Sequence, residues 1–141
     1  MRWVLIFWVF LMSAVSYLDR VNISIARSAV QQDFGLTPVE MGWVFSAFVW
    51  AYALFQAPAG RLADRFGPRR VIALGVLWWS VFTALTAMTP RGLPFSLAML
   101  IGVRFLLGAG EAVVYPASNR LVAKWIPTNE RGIANGWIFA G

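Results

Sequence analysis

Four charged residues lie inside otherwise apolar stretches, and their types are suited to chemistry. Asp19 and Arg20 are adjacent in the first stretch, and Arg104 and Glu111 share a later one. A guanidinium group binds a carboxylate through two parallel hydrogen bonds, so two buried arginines favour an anion site. A buried carboxyl group can exchange a proton, because burial favours its neutral form and a nearby arginine favours its charged form. The pattern predicts an anion site with proton-carrying carboxylates or, as the simpler alternative, two structural ion pairs between helices.

The composition places these charges in a membrane protein. The 141 residues are 60% hydrophobic and 13% charged, and the mean hydropathy is +0.67. Soluble domains carry about 25% charged residues, so this chain has too few to cover a water-exposed surface. The 8 Trp, 11 Phe and 3 Tyr suit a lipid interface. The composition therefore argues against a cytosolic globular protein and against a disordered chain.

Two residue types are absent, which narrows the function further. The chain has no His and no Cys, which removes imidazole bases, thiol nucleophiles, disulfides and His or Cys metal sites. We therefore expect no metal and no cofactor, and a membrane enzyme is a poorly supported alternative. The net charge of +6 comes from basic residues in short links between apolar runs. That arrangement is typical of membrane loops and not of a nucleic-acid-binding face.

Four apolar stretches reach the roughly 20 residues that a helix needs to cross the hydrocarbon core. They cover about 4–26, 41–60, 71–88 and 95–118, and a fifth apolar run extends over 132–141. We predict an all-α membrane protein in which 1–141 is one N-terminal bundle, with four transmembrane helices and the start of a fifth. Because the fifth run is too short to cross the hydrocarbon core, we expect the N-terminal part of a longer protein, or a truncated chain.

Basic residues are concentrated on one side of the membrane. Consecutive spans alternate in direction, so the N-terminus shares a side with the links after spans two and four. That side carries Arg2, Arg61, Arg65, Arg69, Arg70, Arg120, Lys124 and Arg131, whereas the other carries Arg27 and Arg91. Because cytoplasmic loops hold the excess of Lys and Arg, we predict a cytoplasmic N-terminus in a plasma membrane such as the bacterial inner membrane.

The intramembrane charges are expected to meet near mid-depth. Arg20 falls in the outer half of span one, Arg104 near the middle of span four, and Glu111 in the inner half of that span. Tyr52 falls near the middle of span two. These side chains can line one central cavity, and ionisable residues inside membranes are most often functional.

The link after span two has a recognisable sequence. It reads GRLADRFGPRR over residues 60–70, and it resembles the signature loop of the major facilitator superfamily. Gly67 permits a tight turn with positive φ, and Asp64 can cap a neighbouring helix start. Pro68 stands where many members of the superfamily have a basic residue.

Further motifs resemble one family within that superfamily, the anion:cation symporters. They are YLDRVN over 17–22, RFLLG over 104–108 with EA at 111–112, YP at 115–116, WIP at 125–127 and ERG at 130–132. The resemblance covers essentially the whole chain. It implies a twelve-helix transporter of organic anions such as sugar acids or hexuronates, coupled to protons, of which the C-terminal six-helix half is missing here.

The resemblance also implies residue roles. Substrate contacts would be made by Arg20, Tyr52 and Arg104, with Tyr17 beside them, and protons would be carried by Asp19 and Glu111. The residues of the gating loop would be Gly60, Asp64, Arg65, Gly67, Arg69 and Arg70. A fragment or helical scaffold without transport activity of its own remains the alternative.

The charge asymmetry predicts a topology that thiol labelling can test in the full-length protein stripped of other cysteines. Arg91→Cys should react with an impermeant thiol reagent outside intact cells, because its link is predicted to be external. Arg69→Cys should react only after permeabilisation. The opposite labelling pattern would show that the assignment is inverted.

Overall fold

A computed structural model describes residues 1–92 and 94–141 and shows a helical chain. The described ranges contain no strand, in agreement with the predicted all-α class. The helices are α1 (Arg2–Ile25), α2 (Arg27–Phe34), α3 (Pro38–Phe66), α4 (Pro68–Met88), α5 (Ser96–Glu111), α6 (Val114–Trp125) and α7 (Arg131–Ala140).

Within those described ranges, four helical segments are long and apolar enough to cross a membrane. They are Arg2–Ile25, Pro38–Phe66, Pro68–Met88 and Ser96–Trp125. The number of predicted spans is confirmed, and each corresponds to one of these segments. The helices in the second and fourth segments continue beyond 60 and 118. Backbone hydrogen bonds do not stop where the apolar run stops, so each helix extends into polar sequence. The link predicted over 27–40 also contains a short helix, α2.

Helices α5 and α6 are two parts of the fourth span. The helix is interrupted at Ala112 and Val113, within one turn of Pro116. Proline has no N–H for the carbonyl group one turn earlier, and its ring crowds that group, which accounts for the interruption. The break follows Glu111, so a charged residue occupies the last position of α5.

The turn between α3 and α4 depends on Gly67. Its φ is +88°, a value that residues with a Cβ rarely adopt. Pro68 follows at the first position of α4, where its missing N–H costs nothing. The capping role expected for Asp64 is wrong here, because no described side chain caps the start of α4. The Asp64 carboxylate instead pairs with Arg120 on α6.

Helix α5 lies at the centre of the bundle. It packs along α3 and against α4, whereas α1 packs against α7 and α6. A Cβ atom on Gly108 would lie 2.5 Å from the carbonyl oxygen of Phe48 and 3.3 Å from the Cβ of Ala51. Helices α3 and α5 therefore meet almost backbone to backbone, as small residues allow in membranes. This contact places Phe48 directly beside α5.

The close approach at Gly108 predicts a specific loss of stability. Gly108→Ala should destabilise the full-length protein by about 1–3 kcal/mol, the usual cost of overpacking. The matched control is Gly102→Ala on the same helix, where no described atom lies within 4 Å of the added methyl group. Thermal unfolding in detergent measures both. Equal melting temperatures for the two variants would contradict the contact.

Candidate functional site

The centre of the site is an ion pair between α1 and α5. The Nε and Nη2 atoms of Arg20 each lie 3.0 Å from Oε2 of Glu111. The side chain of Glu111 is fully buried, and that of Arg20 is 32% exposed. Arg20 also donates a long hydrogen bond of 3.5 Å to Ser16, one turn earlier on α1. The pair joins two predicted site residues that are 91 positions apart in sequence, and it links the first span to the fourth.

Aromatic rings of α3 enclose both arginines. The Cζ atom of Arg20 lies 4.4 Å from the ring centroid of Tyr52. The ring of Phe48 lies near both arginines, with its centroid 5.7 Å from Cζ of Arg20 and 4.8 Å from Cζ of Arg104. A guanidinium group over an aromatic face is stabilised by the ring quadrupole. The structure thus brings Tyr52 into contact with Arg20. It also adds Phe48, which the sequence analysis missed although it lies one turn before Tyr52.

Arg104 and Glu111 retain bonding capacity inside the bundle. Arg104 is 4% exposed. Among the described residues, neither Nε of Arg104 nor Oε1 of Glu111 has a hydrogen-bond partner. Leaving a buried polar group unpaired costs about 1–3 kcal/mol, and more for charged groups. An arrangement that leaves one donor and one acceptor open beside an ion pair is suited to a polar ligand.

Asp19 is held by a different helix from its neighbour Arg20. Its Oδ2 accepts a hydrogen bond of 3.1 Å from the indole Nε1 of Trp79 on α4. Asp19 also lines a cavity of about 230 Å³, together with Asn22, Arg104 and Thr83. Asp19 and the buried Arg104 therefore line the same cavity. Trp79 is a second residue that the sequence analysis missed, because hydropathy assigns such a residue to lipid or core.

Tyr17 lies apart from this arrangement. Its side chain is 60% exposed, and no hydrogen bond or ring contact of the described residues joins it to the four charged groups. Its predicted place beside the substrate stays a prediction.

The predicted gating loop contacts α6 along its length. Asp64 forms a double interaction with Arg120, with Nε to Oδ1 at 2.9 Å and Nη2 to Oδ2 at 3.0 Å. The Cζ atom of Arg69 lies 4.4 Å from the ring centroid of Trp125. Gly60 approaches Pro116, since an added Cβ would lie 3.8 Å from its ring. Arg65 and Arg70 are exposed.

Comparison with known proteins places the chain in a family. The model of the Major Facilitator Superfamily matches residues 9–141. This chain belongs to the major facilitator superfamily. Together with the four apolar helical segments of the described ranges, this membership makes it a multi-pass membrane protein. It also agrees with the resemblance carried by the loop over residues 60–70.

Three curated relatives are between 38% and 44% identical to this chain in sequence. The "Probable galactarate/D-glucarate transporter GudP" of Bacillus subtilis is 44% identical over 138 residues, which are 97% of this chain and 30% of the relative. The "D-galactonate transporter" of Escherichia coli O6:H1 is 38% identical over 99% of this chain and 31% of the relative. The "Probable anion transporter 4, chloroplastic" of Oryza sativa subsp. japonica is 39% identical over 99% of this chain and 23% of the relative. The chain thus spans less than a third of the length of the relatives it matches.

Proposed function

We propose that this chain is the N-terminal part of a secondary transporter that moves an organic anion of the sugar-acid class together with protons. The names of the bacterial relatives, which refer to galactarate, D-glucarate and D-galactonate, support the substrate class. Each of these anions carries one or two carboxylates and several hydroxyl groups. Carboxylates fit guanidinium groups, and hydroxyl groups fit the remaining polar side chains.

The observation that carries the proposal is the ion pair of Arg20 with Glu111 beside the partly unpaired Arg104. Glu111 is paired with the guanidinium group of Arg20, to which a substrate carboxylate would bind. Protonation of Glu111 removes its negative charge, and Arg20 then becomes available to the substrate. Proton binding and anion binding favour each other through this competition, which is the basis of symport. Tyr52 and Phe48 hold Arg20 in reach of either partner.

Asp19 and Arg104 form the second element of the proposed site. They face one cavity, and Arg104 presents a buried Nε–H that no described group accepts. We assign Arg104 to the substrate and Asp19 to a second transported proton. The carboxylates then lie on separate helices, α1 and α5, so proton movement can accompany relative movement of the two spans.

The other half of the transporter completes this site. Alternating access requires one bundle to rock against another around a site near the middle of the membrane. This chain matches 30% of the length of the relative from Bacillus subtilis. In our proposal the second bundle and the remaining substrate contacts come from the part of the transporter that this chain does not match. We place the N-terminus and the loop over 60–70 in the cytoplasm, where the loop would gate the movement of the bundles.

A helical scaffold without transport activity is the second candidate function. The observation in its favour is that the Arg20–Glu111 pair also connects α1 to α5, which is a structural role in its own right. The two candidates differ in what substitutions do, because a scaffold loses folded protein whereas a transporter loses a transport step.

The first test concerns anion binding by Arg104 in the full-length protein. Arg104→Lys keeps the positive charge but loses the planar donor fork. We expect uptake of a sugar acid to fall at least about tenfold, equal to about 1.4 kcal/mol. The control is Arg27→Lys, which changes an exposed arginine on α2 and should leave uptake unchanged. Normal uptake of every sugar acid tried by Arg104→Lys and Arg104→Ala would refute the assignment.

The second test separates proton coupling from binding. Glu111→Gln mimics the protonated side chain and cannot release a proton. In proteoliposomes of the full-length protein it should retain exchange of labelled for unlabelled substrate and lose accumulation driven by a pH gradient. Asp19→Asn should behave similarly, with a larger binding defect because Arg20 is its neighbour. A scaffold predicts loss of folded protein and of exchange together.

An unchanged accumulation ratio for Glu111→Gln would exclude Glu111 as an essential proton carrier. The coupling role would then rest on Asp19 or on the membrane potential alone.

A further inference from the structure

The hydrogen bond from Trp79 to Asp19 connects two helices that the ion pair does not connect. Nε1 of Trp79 donates to Oδ2 of Asp19 at 3.1 Å. Trp79 is 6% exposed, and its ring packs with Phe48 and Leu107 in one apolar cluster. The indole is thus fixed by packing against α3 and α5, and its N–H group points at the carboxylate from α4.

An indole N–H group can only donate a hydrogen bond. It interacts most strongly with an ionised carboxylate, because charge-assisted hydrogen bonds are about twice as strong as neutral ones. The neutral carboxylic acid loses most of that stabilisation. Trp79 can therefore hold the Asp19 carboxylate in position through this hydrogen bond without carrying a charge of its own.

The charged groups around Asp19 come from two helices. Arg20 is its neighbour on α1, and α5 contributes Arg104, which lines the same cavity, and Glu111. The part of α4 that lines the cavities around Asp19 provides hydroxyl, alkyl and indole groups, with no charged side chain among the described lining residues. Arg20 pairs with Glu111. The hydrogen bond that the carboxylate of Asp19 accepts comes from the indole N–H of Trp79.

We propose that Trp79 is a positioning residue for proton release from Asp19. The inference rests on the proposed function, in which Asp19 carries a transported proton. When that proton leaves to water in the cavity, the indole N–H stabilises the carboxylate that remains and holds it facing the cavity. Loss of the N–H should slow the release step and should leave anion binding by Arg20 and Arg104 intact.

The experiment compares Trp79→Phe with a matched control in proteoliposomes of the full-length protein. Trp78→Phe removes an indole N–H that donates to the backbone carbonyl oxygen of Leu106 at 2.8 Å and not to a charged group. For Trp79→Phe we expect uptake driven by a pH gradient to fall about tenfold, the effect of losing one hydrogen bond to a charged group. Counterflow exchange per folded protein should stay near that of the parent. Trp78→Phe should match the parent in both assays.

A pH profile distinguishes positioning from packing. Raising the pH on both sides of the membrane by equal amounts, at a constant pH difference, favours proton release from Asp19. Driven uptake by Trp79→Phe should therefore recover toward the parent at higher pH. Trp79→Gln, whose amide group can donate in place of the indole, should lose less driven uptake than Trp79→Phe. If the Phe variant does not fold, the comparison of Trp79→Gln with the parent provides the test.

Three outcomes would overturn the inference. They are parent-like driven uptake by Trp79→Phe at every pH, a parallel loss of uptake and exchange that pH does not restore, and equal defects in the Gln and Phe variants. Asp19→Asn keeps this result separate from the proposed function. If Asp19→Asn retains driven uptake, the carrier role of Asp19 fails; if it loses driven uptake while Trp79→Phe does not, only the positioning role fails.

Discussion

The structure depends on the cost of placing charge where the chain is apolar. Placing a charged side chain at the centre of a membrane helix costs roughly 2.5–3.5 kcal/mol of insertion free energy. An unpaired, charged Glu111 buried inside the bundle would therefore be strongly unfavourable. Pairing with Arg20 offsets that cost and at the same time joins α1 to α5. In the proposed function the same attraction makes the pair replaceable, because a substrate carboxylate would satisfy Arg20 as Glu111 does. Under that proposal, helix packing and substrate binding compete for one guanidinium group.

The aromatic residues of α3 support both arginines without neutralising them. Phe48 and Tyr52 stack with centroids 6.1 Å apart and present ring faces to the guanidinium groups. A ring face stabilises a cation by about 0.5–2 kcal/mol, less than a carboxylate does in the same low-dielectric setting. Arg104 in particular is buried against Phe48 with an unpaired Nε. The rings therefore stabilise positive charge inside the bundle without neutralising it.

The backbone is irregular at two positions, one next to Glu111 in the fourth span and one at Gly67 in the loop. Pro116 interrupts the fourth span immediately after Glu111, and Gly67 turns the chain between α3 and α4 with a φ of +88°. The Asp64–Arg120 pair then ties that turn to α6, the segment that begins beyond the interruption. Helices α5 and α6 both pack against α3 and α4, and the Asp64–Arg120 pair adds an ionic contact between α3 and α6.

The sequence by itself determined the spans, the positive φ at Gly67 and the set of charged residues inside the membrane. These features are local: hydropathy is read along one segment, and a turn glycine or an intramembrane arginine is recognisable without its neighbours. The motifs also indicated the superfamily, because the residues of the loop over 60–70 have the spacing of its signature loop. Helix ends were less predictable, since α3 and α6 continue past the apolar sequence.

The pairing of the charges was decided only by the tertiary structure. Arg20 lies next to Asp19 in sequence, yet it bonds to Glu111 on α5, and Asp19 bonds to Trp79 on α4. Neighbouring residues on a helix point about 100° apart, as its 3.6 residues per turn require, so each turns toward a different helix. Which helix lies there depends on how the spans pack, through contacts such as that of Gly108 with Phe48. For the same reason Phe48 and Trp79 looked like ordinary apolar residues until packing brought them against charge.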